Sequence, residues 1–143
     1  MNTLRLPYYS LSAATYEPLK SAVLTLEKSP LGMTIIELVF LRVSQINGCA
    51  FCLDMHSKAL RKSGVTQDKL DQLAGWRVSH LYSERERAAL NWAESLTHVA
   101  TTGAPDSDFD ALKALFSDVE ISDLSFAISI MNAFNRLAVG MRQ

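Results

Sequence analysis

Residues Ile35–Leu60 read IIELVFLRVSQINGCAFCLDMHSKAL, and this stretch decides how the 143-residue chain is understood. It holds both cysteines of the chain, Cys49 and Cys52, one of its three histidines, His56, and Glu37 set among Ile35, Ile36, Leu38 and Val39. Its first half is apolar on nearly every side, which predicts a buried helix from about Met33 to Ile46. Asn47-Gly48 supplies the expected C-terminal cap, because glycine enters the left-handed region without a Cβ penalty. A second helix then starts near Cys49 and runs to about Lys62, closed by Ser63-Gly64.

Outward from this pair, the chain continues as helices joined by short turns. Ala13 to Lys28 carries Tyr16, Leu19, Val23, Leu24 and Leu26 at helical spacing and meets a stop at Ser29-Pro30. Thr66 is placed to cap a short helix over TQDKLDQLAGW, and Ser83 with Glu86 has the spacing of a capping box before RAALNWAESLTHVA. Pro105 to Phe116 reads as a helix with an acidic first turn, as the helix dipole prefers, and Ile121 to Met141 as the last. No hairpin signal, alternating strand run, solenoid repeat or low-complexity tract interrupts this pattern. The expected fold is all-α, about six to seven helices in one domain over residues 1–143. The last helix is apolar over more than one face, so it is expected to be central or shared with another subunit.

Composition narrows the function. Apolar residues make up 48% and charged residues 20%, with a net charge of -1, which fits a globular chain rather than disorder. No basic stripe is present to follow a phosphate backbone, so nucleic acid is not an expected partner. The longest charge-free run, Leu124 to Asn135, is too short to span a bilayer, and the N-terminal MNTLRLPYYSLSAATY lacks the pattern of a secretory signal. A reducing cytoplasm is the expected compartment, where a close cysteine pair is more often catalytic, redox-active or metal-binding than structural.

A helix N-terminus at Cys49 favours thiolate over thiol, through unpaired N–H groups and the positive dipole end. Offsets of three and four place Cys49, Cys52 and His56 on one helical stripe, so His56 can exchange a proton with Cys52. A thiol of pKa about 8.5 is only a few per cent ionised at pH 7, and lowering it by roughly two units makes it mostly thiolate. Thiolate attacks peroxides and disulfides, and a sulfenic acid on one cysteine condenses with its neighbour to a disulfide. Helix position favours Cys49 as the more acidic thiol, and the His56 contact favours Cys52. Glu37, with little solvent expected around it, is a candidate proton acceptor or relay beside the imidazole. Its alternative is a structural ion pair with Arg42 or Arg136.

The same residues admit other chemistries. Two buried cysteines can serve as small hydrophobes. A zinc site would draw on Cys49, Cys52, His56 and Glu37, but such sites recruit a second ligand pair and no other cysteine exists in the chain. Haem attachment is excluded because Leu53, not histidine, follows Cys52. His80 lies in a polar linker and His98 near a helix end, where the dipole explains it. Trp76 and Trp92 are expected in the core or an interface, and Met55, which could line a pocket beside His56, is expected first in packing.

The segment ELVFLRVSQINGCAFCLDMH resembles the alkylhydroperoxidase AhpD-like core of the carboxymuconolactone decarboxylase superfamily, with glutamate twelve residues before the first cysteine and histidine four after the second. Looser similarity extends through YSERERAALNWAESLT and NAFNRLAVGM. The resemblance implies an all-helical trimer or hexamer and a thiol-dependent peroxidase that takes a hydroperoxide substrate and a thiol or dithiol reductant, without a cofactor. It assigns Cys52 as the attacking thiol, Cys49 as the resolving one, and His56 with Glu37 as the proton relay. Phe51 departs from the best-studied branch, which has a histidine between the cysteines. Two rivals stand beside it: a non-enzymatic redox-sensing or structural assembly, and decarboxylase chemistry on a lactone acid, which needs no redox-active cysteines.

Overall fold

A computed structural model describes residues 3–143. Among them no strand occurs, and the chain folds as α1 (Tyr8–Leu11), α2 (Ala13–Leu26), α3 (Met33–Asn47), α4 (Ala50–Lys62), α5 (Gln67–Asp71), a 3-10 helix (Leu73–Val78), α6 (Glu84–Thr97), α7 (Val99–Thr102), α8 (Asp106–Lys113) and α9 (Asp118–Met141). The all-α expectation holds, and the long helices match it to within a few residues. The helix expected over TQDKLDQLAGW divides into α5 and the 3-10 helix, and the one expected through Ala100 stops at Thr97 and resumes as α7. α1 lies outside the expected elements, since a single turn carries too few residues to show a period.

The helix starts follow local chemistry. Ser83 accepts from the Glu86 N–H while the Glu86 carboxylate accepts from the Ser83 N–H, and Ser117 with Glu120 forms the same reciprocal pair at the head of α9. The second box places the start of α9 at Asp118, one turn earlier than Ile121. Thr66 caps α5 as its position suggested.

Two buried layers meet on α3, which is why that helix is apolar all round. One face, with Ile36, Val39, Phe40 and Val43, packs into a core shared with Trp92 and Ala93 of α6 and Leu124 and Ile128 of α9. The other, Leu38 and Leu41, joins Leu60, Leu73, Trp76 and Leu90. Each fully buried leucine here stabilises the fold by roughly 1.5–3 kcal/mol relative to exposure. α9 is long and apolar enough, by length and composition, to cross a bilayer. In this fold it packs instead against α2, α3, α4, α6 and α8, and leaves Phe126 and Val119 exposed.

Candidate active site

Gly48 ends α3 in the left-handed conformation, with φ 68° and ψ 38°, and the Cys49 N–H reaches back to the Ser44 carbonyl at 3.1 Å. This closes the last turn of α3 and leaves only Gly48 and Cys49 between it and α4. Cys49 is extended and caps α4, its sulfur accepting from the Cys52 N–H at 3.3 Å. Cys49 and Cys52 are joined as a disulfide, their Cα atoms 5.3 Å apart. Both sulfurs belong to a small buried cluster with Ala138, so the C-terminal end of α9 backs the pair.

The turn packs α4 onto α3 and brings together two residues nineteen positions apart: Glu37 Oε2 lies 2.7 Å from His56 Nδ1. A carboxylate only accepts, so Nδ1 carries the proton and Nε2 presents a lone pair. The Phe40 ring, its centroid 5.1 Å from that of the imidazole, holds the ring from the side. Nε2 is buried and has no hydrogen-bond partner among the described residues. An unsatisfied buried polar group costs about 1–3 kcal/mol, so Nε2 is open to a partner that the described residues do not supply. Glu37 itself is less enclosed than its apolar neighbours suggest: its side chain is 18% exposed, at the edge of the helix pair.

Beside the disulfide is a cavity of about 270 Å³, and both Cys52 and His56 line it. Its walls are apolar and aromatic, formed by Tyr8, Tyr16, Phe51, Met55, Met131 and Phe134. Cys49 is not among the lining residues, so a molecule in the cavity meets Cys52 first. The segment before α2 closes one side. Tyr8 donates its hydroxyl to Gln143 Oε1, and the Arg5 N–H bonds the Met141 carbonyl at 2.8 Å. Burial, with Tyr16 and Tyr9 close by, pushes the Tyr8 phenol above its ordinary value, so it stays a neutral donor.

A polar network steadies the same turn from the α9 side. Asn135, fully buried, donates to Ser44 Oγ at 3.1 Å and accepts from Asn47 Nδ2 at 3.1 Å. Asn47 also donates to Asn132 Oδ1 at 3.0 Å. The sequence offered no pattern for this network, whose members lie up to 91 positions apart.

The remaining expectations sort plainly. Arg42 does not pair with Glu37; its Nε donates to Glu94 at 3.0 Å. Arg136 bonds Asn132 on its own helix and is exposed. Trp76 and Trp92 are core residues whose indole N–H groups donate to Glu94 and Ser125. His80 and His98 are exposed and stand apart from the cavity. Met55 is 45% exposed and lines the cavity, so packing does not account for it. Tyr16 is expected from the sequence only as a helix-face position and Tyr8 not at all; the PYY run at 7–9 was the available signal for Tyr8. Among the described residues no three His, Cys, Asp or Glu side chains are arranged to hold a metal ion.

The chain is similar to known proteins over most of its length. Residues 11–95 match the carboxymuconolactone decarboxylase family. The uncharacterized protein YdfG of Bacillus subtilis is 31% identical over 137 residues, covering 96% of this chain and 93% of its own length. The alkyl hydroperoxide reductase AhpD of Streptomyces avermitilis is 50% identical over 36 residues, 25% of this chain and 20% of that protein. A crystal structure from Agrobacterium tumefaciens, of a protein of unknown function with a suggested assignment as an antioxidant defence protein AhpD, superposes with a TM-score of 0.94. It is 40% identical, and the alignment covers 99% of this chain and 97% of that one.

Proposed function

We propose, from the premise that this chain belongs to the carboxymuconolactone decarboxylase family and has an AhpD-like fold, that it is a thiol-dependent peroxidase acting on hydroperoxides. The observation that carries this reading is the shared cavity: Cys52 and His56 line it together, and His56 Nε2 has its lone pair unclaimed while Glu37 holds Nδ1.

In the reduced protein, His56 Nε2 takes the Cys52 proton. The thiolate attacks the terminal peroxide oxygen, forming the S–O bond as the O–O bond breaks, and the departing alkoxide takes the proton back from the imidazolium. The products are an alcohol and Cys52 sulfenic acid. The Cys49 thiol then attacks the Cys52 sulfur and releases water, giving the disulfide. The disulfide form described here is the end of that half-cycle, and an external thiol or dithiol closes the cycle by exchange. Glu37 stabilises the imidazolium that forms between the two proton transfers. The proposal extends to a cytoplasmic homo-oligomer, in which second copies would cover side chains such as Phe126, 61% exposed on α9.

The test is hydroperoxide consumption with a dithiol reductant, comparing the native chain with Cys52→Ser. Turnover in the native chain that disappears in the variant is expected. Equal rates would end the peroxidase reading. A disulfide that forms under oxidant without turnover would favour a redox sensor, and activity on a lactone acid untouched by Cys52→Ser would favour decarboxylation.

A further inference from the structure

α2 turns one stripe towards the cavity: Tyr16, Lys20, Val23 and Leu24, at the spacing of successive helical turns. Tyr16 is anchored edge-on against Phe134, with ring centroids 6.0 Å apart. Phe51 and Met55 of α4 complete the lining near Cys52. In this apolar stripe Lys20 is the exception. It is the only Lys, Arg, Asp or Glu among the lining residues, and it is exposed. The ion pairs of the described residues all join other groups, and Glu17, one turn earlier on α2, makes none with it. A lysine so placed lays its methylene stem along apolar walls and keeps the ammonium at the rim. The cavity therefore has a sulfur and an imidazole within, greasy sides, and one lysine that forms no ion pair among the described residues.

We propose that the site selects hydroperoxides that carry a carboxylate, with an apolar body lying between the peroxide at Cys52 and the anionic end at Lys20; this rests on the peroxidase reading above. A cavity of about 270 Å³ has room for a short aliphatic or single aromatic body, with the charged end at the mouth. A carboxylate gives the Lys20 ammonium a charge-assisted hydrogen bond that a neutral hydroperoxide cannot supply. The chemistry is unchanged. Two thiols and one hydroperoxide give one disulfide, one water and the corresponding hydroxy acid anion, with the carboxylate bound but not reacting.

The experiment uses a matched pair, cumene hydroperoxide and its para-carboxylate, with a dithiol reductant and the full chain. The quantity read is the ratio of kcat/KM for the carboxylate to that for the neutral peroxide. Lys20→Met is expected to lower this ratio about fivefold, as loss of a partly solvated ion pair does, through KM for the carboxylate. Lys20→Arg should retain it, Lys58→Met on the exposed face of α4 should leave it at the native value, and added salt should erode it. A ratio that Lys20→Met does not move overturns the inference while leaving the peroxidase reading intact. Calorimetric binding of the two product alcohols, 2-phenyl-2-propanol and its para-carboxylate, to the disulfide form separates the claims further. Tighter, Lys20-dependent binding of the carboxylate in a chain that turns over neither peroxide would sink the peroxidase reading and uphold anion selection. Equal binding of the two alcohols would sink anion selection.

Discussion

Glu37 of α3 and His56 of α4 meet at 2.7 Å, and that contact occupies Nδ1 and leaves Nε2 as the nitrogen without a partner among the described residues. A carboxylate at Nδ1 fixes the tautomer and the orientation of the ring. The pairing depends on the turn at Gly48, which folds α4 back against α3.

Glu37→Gln keeps the shape of the side chain and removes its charge. The amide supports the imidazolium poorly and can donate to Nδ1, which reverses the tautomer. Peroxide reduction is expected to fall roughly a hundredfold in kcat with KM held, and Glu37→Asp to recover part of it. Steady-state kinetics at saturating reductant check this. A kcat within twofold of the native value would remove Glu37 from the relay.

Gly48→Ala tests the turn. A Cβ at Gly48 meets nothing within 4 Å, so any cost is conformational rather than steric crowding by neighbours. With φ at 68°, an alanine there is expected to lose about 1 kcal/mol, seen as a lower urea midpoint at unchanged slope. Unchanged stability would mean that the left-handed cap is not needed to hold the two helices together.

Much of this was legible in the sequence because it is local. The Ser83 and Glu86 box, the Thr66 cap and the Asn47-Gly48 stop each lie within a few residues of the helix they bound. The Glu37 and His56 pairing was within reach because one short turn fixes how α4 returns along α3. The Ser117 and Glu120 box was also readable, and only the stronger apolar run from Ile121 drew the expected start inward. What could not be read is long-range. Tyr8 reaches Gln143 across 135 positions, Arg42 finds Glu94 across 52, and Asn135 finds Ser44 across 91. No spacing rule selects such partners, and so the aromatic wall of the cavity and the asparagine network came only with the fold.

That network carries the next prediction. Asn135→Leu inserts an apolar side chain where Ser44 and Asn47 each bond the native amide. Ser44 keeps its bond to the Phe40 carbonyl and Asn47 its bond to Asn132, so the cost is that of two lost hydrogen bonds at about 0.5–1.5 kcal/mol each. A loss of roughly 2 kcal/mol is expected in urea denaturation. Since Ser44 and Asn47 lie at the end of α3, alkylation of Cys49 in the reduced protein should also quicken as the turn loosens. A variant as stable as the native chain would show that the network contributes nothing net.

Glu94 carries the last prediction, which concerns acid stability. Burial alone would raise its pKa, but hydrogen bonds from Trp76, Arg77 and Arg42 outweigh burial and hold the carboxyl below its ordinary 4.5. A group depressed in the folded state binds its proton more readily when unfolded, so its stabilisation is fully present above the unfolded value and drains away as pH falls through the folded one. Native stability should therefore hold from pH 7 down to about 4.5 and decline below it. Glu94→Gln should be less stable at pH 7, because Arg42 loses its carboxylate, and should show a shallower decline on the acid side. Thermal melts of both proteins between pH 7 and pH 3 make the comparison. Parallel acid limbs in the two proteins would place the acid sensitivity elsewhere, with Glu120, also held low by Arg85, as the next carboxylate to substitute.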